Sequence, residues 1–174
     1  HYDSSVRTGR QALNAAYQFI DELLKPEKTG KPFFISLSIA PLFPNGYGHA
    51  RRFSCDAFGT AEDVEYVLNA QTYAWWQNHR LYAFNDPDHS CLLKSFCMDR
   101  DSSLGEARAR YTASVIAGTV MMLSDDYERE EAKERSRILT GNTEVNKVAA
   151  SRVAFRPTEA GGTSASHCFT AVID

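Results

Sequence analysis

Hydrophobic and polar positions change period several times along the chain. Leu13, Ala16, Tyr17, Ile20, Leu23 and Leu24 recur at helical spacing behind Thr8, whose hydroxyl and the glutamine at position 11 make a capping pattern, and Pro26 follows. An amphipathic helix that packs on something is predicted. The run Phe33-Phe34-Ile35-Ser36-Leu37-Ser38-Ile39 is instead largely apolar, as in strands covered on both faces, and residues 41–48 carry two prolines and two glycines that fix a loop. Residues 49–59 predict a second strand that delivers Asp56 at its end, with Gly59 turning behind it. Thr60 and Asp63 then open a helix that turns Val64, Val67, Leu68, Thr72, Trp75 and Trp76 inward, the tryptophans as core. Leu81-Tyr82-Ala83-Phe84 predicts a third strand tipped by Asn85-Asp86-Pro87-Asp88. Ser103 with Glu106 starts a helix reaching Gly118, and Thr119-Val120-Met121-Met122-Leu123 predicts a fourth strand ended by Ser124-Asp125-Asp126. A charged helix over 127–137, acidic early and basic late as the helix dipole favours, and a shorter one over 143–149 follow. Beyond them two β-like segments, Val153-Ala154-Phe155-Arg156-Pro157 and 167–173, are joined through Gly161-Gly162 without a helix.

Strands alternating with helices predict a parallel sheet. Four such units make half of an eightfold barrel, a fold that takes about 250 residues, or else a small open α/β sheet. The expectation is an α/β chain in which residues 1–150 form the C-terminal half of a (β/α)8 TIM-like barrel and residues 151–174 begin an antiparallel β-sandwich. Half a barrel exposes strand edges and an apolar face, so homo-oligomerisation, association with a missing N-terminal half, or poor solubility is expected.

Charge narrows the partners. With 19 basic and 22 acidic residues the net charge is -3, and no basic run is interleaved with aromatics, which argues against nucleic acid. The longest apolar stretches, such as 115–123, fall short of the roughly 20 residues a membrane helix needs, so no membrane partner is expected. His1-Tyr2-Asp3 shows neither an initiator methionine nor a signal pattern, which reads as a processed or truncated piece and leaves secreted and periplasmic locations open. Four cysteines allow two disulfides or none. Cys91 and Cys97 with His89 match no common zinc spacing, so no metal or cofactor is assigned, and Cys55 is expected as a buried free thiol.

Three predicted strands end in carboxylates: Asp56, then Asp86 and Asp88, then Asp125 and Asp126. In parallel α/β folds, groups at the carboxyl ends of strands converge on one mouth. A carboxylate there becomes a general acid when burial or a second carboxylate raises its pKa, and a guanidinium pulls the other way. Arg52 lies four residues before Asp56, so strand alternation puts both on one face, as ligand contacts or as a structural pair. The remaining aspartates suit sugar hydroxyls, a hard cation or turns.

Ala40-Pro41-Leu42-Phe43, Arg52-Phe53-Ser54-Cys55-Asp56, Asn85-Asp86-Pro87-Asp88 and Met122-Leu123-Ser124-Asp125-Asp126 resemble, in that order, the second half of the barrel of α-galactosidase (melibiase) glycoside hydrolases. The resemblance covers roughly residues 9–155. It implies retaining hydrolysis of a terminal α-galactoside-like sugar, with Asp56 as general acid/base and Arg52 holding sugar and acid. It places Asp88 and Asp86 at the sugar subsite, with Asp125 and Asp126 at the end of the last barrel strand. The attacking carboxylate would belong to a Lys-x-Asp-like segment on an earlier strand absent here, so the chain alone is expected to be inactive. Where the family often reads the sugar's 2-position with Glu or Ser, this chain has Ile39. Two other readings are a non-catalytic carbohydrate-binding remnant and a magnesium-dependent phosphoryl-transfer domain, the latter lacking a Walker-type loop.

Overall fold

The computed structural model describes residues 2–38, 40–119, 121–158 and 168–173. Ile39, the glycine pair at 161–162 and His167 lie outside them. Helix α1 (Gly9–Leu24) opens with the predicted cap: the Thr8 hydroxyl accepts from the Gln11 amide, and the Gln11 side chain accepts from the Thr8 amide. A single turn, α2 (Pro26–Thr29), ends at Gly30 in the left-handed conformation. Strands β1 (Ser36–Leu37), β2 (Ala50–Arg52) and β3 (Phe84–Asp86) pair parallel in the order β1-β2-β3. Helix α3 (Ala61–Ala74), capped by Thr60 and Asp63, crosses from β2 to β3 and runs into a 3₁₀ turn at Trp75–Gln77. Helices α4 (Leu104–Ile116), α5 (Glu130–Thr140) and α6 (Thr143–Ser151) follow, and β4 (Arg156–Pro157) pairs antiparallel with β5 (Phe169–Thr170).

This corrects the expected architecture. Among the described residues there is neither half of a (β/α)8 barrel nor the start of a sandwich, but a mixed α/β chain with a three-stranded parallel sheet and a two-stranded antiparallel one. The reason lies after β3. Pro87 has no amide to donate and Asp88 adopts φ 74°, so the third strand stops before it can carry a regular fourth. The segment expected as that strand still runs beside it: Asn85 donates to the Gly118 carbonyl (3.1 Å), Ser90 to Met122 (2.8 Å), and Ser124 to Ser90 (3.3 Å). These bonds amount to one isolated bridge, Ser90 with Leu123.

Strand lengths differ from expectation as well. The run over 32–40 contributes two paired residues, and the Asp56 segment leaves the sheet at Arg52, four residues before the carboxylate. Leu81-Tyr82-Ala83-Phe84 enters the sheet only at its last residue, which carries Asp86 into β3 instead of onto a turn. Cys55 is exposed and not buried as expected, and no disulfide joins the cysteines among the described residues.

Three apolar clusters hold these elements. Leu92, Ala107, Tyr111, Val115 and Leu139 form one; Ala57, Val64, Val67 and Ala113 a second; Leu37, Ala40 and Tyr82 a third. Helix α4 contributes to the first two, so it is the wall between them. Gln71, fully buried on α3, donates to the carbonyls of Ile116 (3.2 Å) and Phe155 (2.8 Å), which ties the start of the C-terminal β segment to both helices.

Candidate functional site

The parallel ladder sets Arg52 directly beside Asp86 at the carboxyl ends of β2 and β3. From that edge the chain turns in two loops, one carrying Asp56 and the other Asp88. Arg52 joins them: its Nη1 lies 2.7 Å from an Asp56 oxygen and 3.2 Å from Asp88 Oδ1. Burial works against the guanidinium's charge, but Asp88 and Asp56 outweigh it and hold the Arg52 pKa above its ordinary value. Arg52 therefore stays a cation across any pH the fold survives.

The aspartates have different surroundings. Asp86 is buried, with Oδ2 accepting from the Ser36 hydroxyl (2.6 Å) and Oδ1 from the Asp88 amide (2.8 Å). Asp88, its side chain 10% exposed, gives Oδ2 to the Ala57 amide (2.7 Å) and Oδ1 to Arg52. Asp56 has a side chain 58% exposed, and its carboxylate pairs with Arg52. Of the three, Asp56 is the group a solvent-borne ligand meets first.

Asp125 stands apart. It is buried, and its two oxygens accept from the amides of Leu92 (2.6 Å), Leu93 (2.7 Å) and Lys94 (3.0 Å). Backbone bonds to a carboxylate are the strong, charge-assisted kind, and three of them make Asp125 the anchor of the 92–94 loop. Asp126 beside it is exposed and accepts from the Glu128 amide (3.0 Å). The structure thus brings Arg52, Asp56, Asp86 and Asp88 together, and engages Asp125 in a neighbouring loop.

Sequence reasoning missed the group that shapes the Asp88 turn. Arg110, fully buried on α4, donates through Nη2 to the carbonyls of Pro87 (3.1 Å), Asp88 (3.1 Å) and His89. Its Nε and Nη1 have no partner among the described residues, and burial pushes its pKa down against the pull of Asp88 and Asp63. A signal was present: Arg110 shares a helix face with Ala107 and Ser114, small residues that leave room for a long side chain. Ser54, whose hydroxyl donates to the Pro87 carbonyl (3.0 Å), binds the two loops to each other.

Two hollows flank the cluster of Arg52, Asp56 and Asp88. One, of about 600 Å³, lies along α3 and is lined by Arg52, Phe53, Tyr66, Asn69 and Tyr73. The other, of about 480 Å³, lies beyond His89 and is lined by Lys94, Phe96, Ser124, Asp126 and Arg129 among others. Among the described residues no three His, Cys, Asp or Glu side chains are grouped as a metal ion needs.

Comparison of the sequence with models of known protein families finds no match, and comparison with curated proteins finds none either. The functional reading therefore rests on the residues and their geometry.

Proposed function

We propose that this chain carries part of a glycoside hydrolase site for terminal α-galactoside-like sugars, with Asp56 as general acid/base. What supports the reading is the shared nitrogen of Arg52. It holds an exposed carboxylate, Asp56, and a mostly buried one, Asp88, at the ends of parallel strands, the place where α/β folds bind ligands. The resemblance of the segments around Arg52, Asp56 and Asp88 to the α-galactosidase barrel supplies the substrate class.

In this reading the sugar lies against the Arg52–Asp88 pair and presents its glycosidic oxygen to Asp56. Asp56 gives that oxygen its proton as the bond to the anomeric carbon breaks and a second carboxylate attacks that carbon. It then takes a proton from water, whose oxygen displaces the carboxylate and releases the sugar. Arg52 contributes charge and position, Asp88 fixes Arg52, and Asp86 braces the turn through the Asp88 amide. No residue of this chain is assigned the attacking role, so these 174 residues alone are expected not to turn over a nitrophenyl α-galactoside.

Binding supplies the test that turnover cannot. Titration of methyl α-galactoside should give saturable binding, lost in Arg52→Ala and kept in Asp56→Asn, because amide and carboxylate both accept from a hydroxyl. Absence of saturable binding by the unaltered chain removes the reading. Hydrolysis that survives Asp56→Asn removes the role given to Asp56.

A further inference from the structure

Helix α1 leaves one face uncovered, and that face is uneven. Gly9, Ala12 and Ala16 line its N-terminal half, where with Tyr2, Arg7 and Phe19 they border a hollow of about 550 Å³. Tyr2 leans over Gly9, so that a side chain at Gly9 would meet the Tyr2 hydroxyl at 3.0 Å. The C-terminal half of the same face carries Ile20 and Leu23, both exposed. One end is a recess and the other a ridge.

A half-turn about an axis through Ala16 exchanges the two ends. Positions 9 and 23, 12 and 20, and 13 and 19 are equally spaced about residue 16. A second copy laid antiparallel therefore sets its Ile20 and Leu23 into the recess over Ala12 and Gly9, and its Phe19 against Leu13. Small residues opposite large ones let the two helix axes come close.

Charge follows the same symmetry. The first turn of α1 holds Arg10 and no acid, and its last turn holds Asp21 and Glu22 and no base, the reverse of what the helix dipole favours. Glu22 is taken by Lys25 and Lys28, but Arg10 and Asp21 form no ion pair among the described residues. They share one flank of the apolar face three turns apart, about 16 Å, too far to meet within one helix. In the antiparallel pair each Arg10 lies beside the Asp21 of the other copy, twice by symmetry, and each charge reaches a helix end whose dipole suits it.

We propose that α1 is the surface through which two copies of this chain pair, antiparallel about a two-fold axis at Ala16. Two helices about 24 Å long cover less than the roughly 1,200 Å² of a stable interface, so the pair is weak, with a dissociation constant on the order of 10–100 µM. Below that concentration, as in a denaturation experiment, the face is open to water. The pairing does not depend on the glycosidase reading.

Sedimentation equilibrium of the chain from about 1 to 500 µM, in about 20 mM salt to limit screening, tests it. The average mass should rise from one chain toward two. Arg10→Glu and Asp21→Arg should each weaken pairing about tenfold or more, since each sets like charges opposite at both symmetric contacts. Mixed in equal amounts, the two variants should pair again, because the acidic flank of one meets the basic flank of the other. Neither site is buried, so both variants should keep the far-ultraviolet circular dichroism of the unaltered chain. A chain that stays monomeric at the highest concentration leaves this face to a different polypeptide and overturns the proposal. So does a dimer that both reversals leave intact, or a pair of weakened variants that fail to associate when mixed.

Discussion

Helices α1 and α4 invert what their sequences suggest. The first has the clearer apolar stripe, yet none of its residues is buried, and Leu13, Phe19, Ile20 and Leu23 are all exposed. It is held mainly by Tyr17, which stacks on Tyr47 at 6.0 Å, and by Asn14, which accepts from the Tyr47 hydroxyl at 3.1 Å. The second is a mixture of alanine, arginine, serine and threonine with few large apolar residues, yet it buries Ala107, Arg110, Tyr111, Ala113, Ser114 and Val115. A hydrophobic stripe reports that a helix wants one covered face. A helix wedged between two cores wraps its buried positions around the axis, and the stripe dissolves. Small residues then become the better sign of burial, because they let neighbours come close on several sides.

The sharpest way to break this contrast is to remove an aromatic ring from each helix. Tyr111→Ala should cost about 3–5 kcal/mol, since it opens a cavity in the cluster with Leu92, Val115 and Leu139 and takes away the partner of Asn146. Phe19, 64% exposed, should cost no more than about 0.5 kcal/mol on replacement by alanine. Urea denaturation of both variants reads the difference. Equal costs would mean that α1 is covered in solution.

A smaller effect should come from Arg110→Leu, about 1–3 kcal/mol, because the carbonyls of Pro87, Asp88 and His89 lose their shared donor. Part of that loss is returned, since two nitrogens of this buried cation have no partner among the described residues and removing them relieves desolvation. A stabilised variant would show that desolvation outweighs the three bonds and that α4 is valued for its apolar packing alone.

Helix starts were the most legible part of the sequence, since a capping box is a local device: Thr8 with Gln11, Thr60 with Asp63 and Ser103 with Glu106 all form as spaced. Strands were legible as apolar runs but not as lengths. Pairing depends on a partner elsewhere in the chain, and the left-handed Asp88 after Pro87 ends the third strand where a barrel would have continued. The pairing of Arg52 with Asp56 could be read from their spacing, although a loop and not strand alternation brings them together. The engagements of Asp86 and Asp125 could not. Whether an aspartate faces a ligand or folds back on backbone amides is decided by the loops that pack around it, and those carry no periodic signal.

The least of the differences between the two helices lies in their surface carboxylates, and it separates two ways of holding one ionised. Glu22 on α1 is brought down from 4.5 to about 2, first by hydrogen bonding to Lys25 and then to Lys28. Glu106 on α4 reaches about 2 as well, first through Arg100 and then through the amide and hydroxyl of Ser103. In both, the folded value lies below the ordinary one, so their stabilisation is complete above about pH 4.5 and fades as pH falls toward about 2. Carboxyl NMR titration should place both midpoints near 2 in dilute buffer. Raising the salt to about 1 M, where screening acts beyond roughly 3 Å, should move Glu22 up further than Glu106. Lysine ammonium groups on an open surface are screened, whereas the Ser103 amide, 2.8 Å from Glu106 Oε2, is fixed at the N-cap of α4 and keeps its bond. Equal movement of the two would assign the whole shift of Glu106 to Arg100 and leave the cap without electrostatic weight.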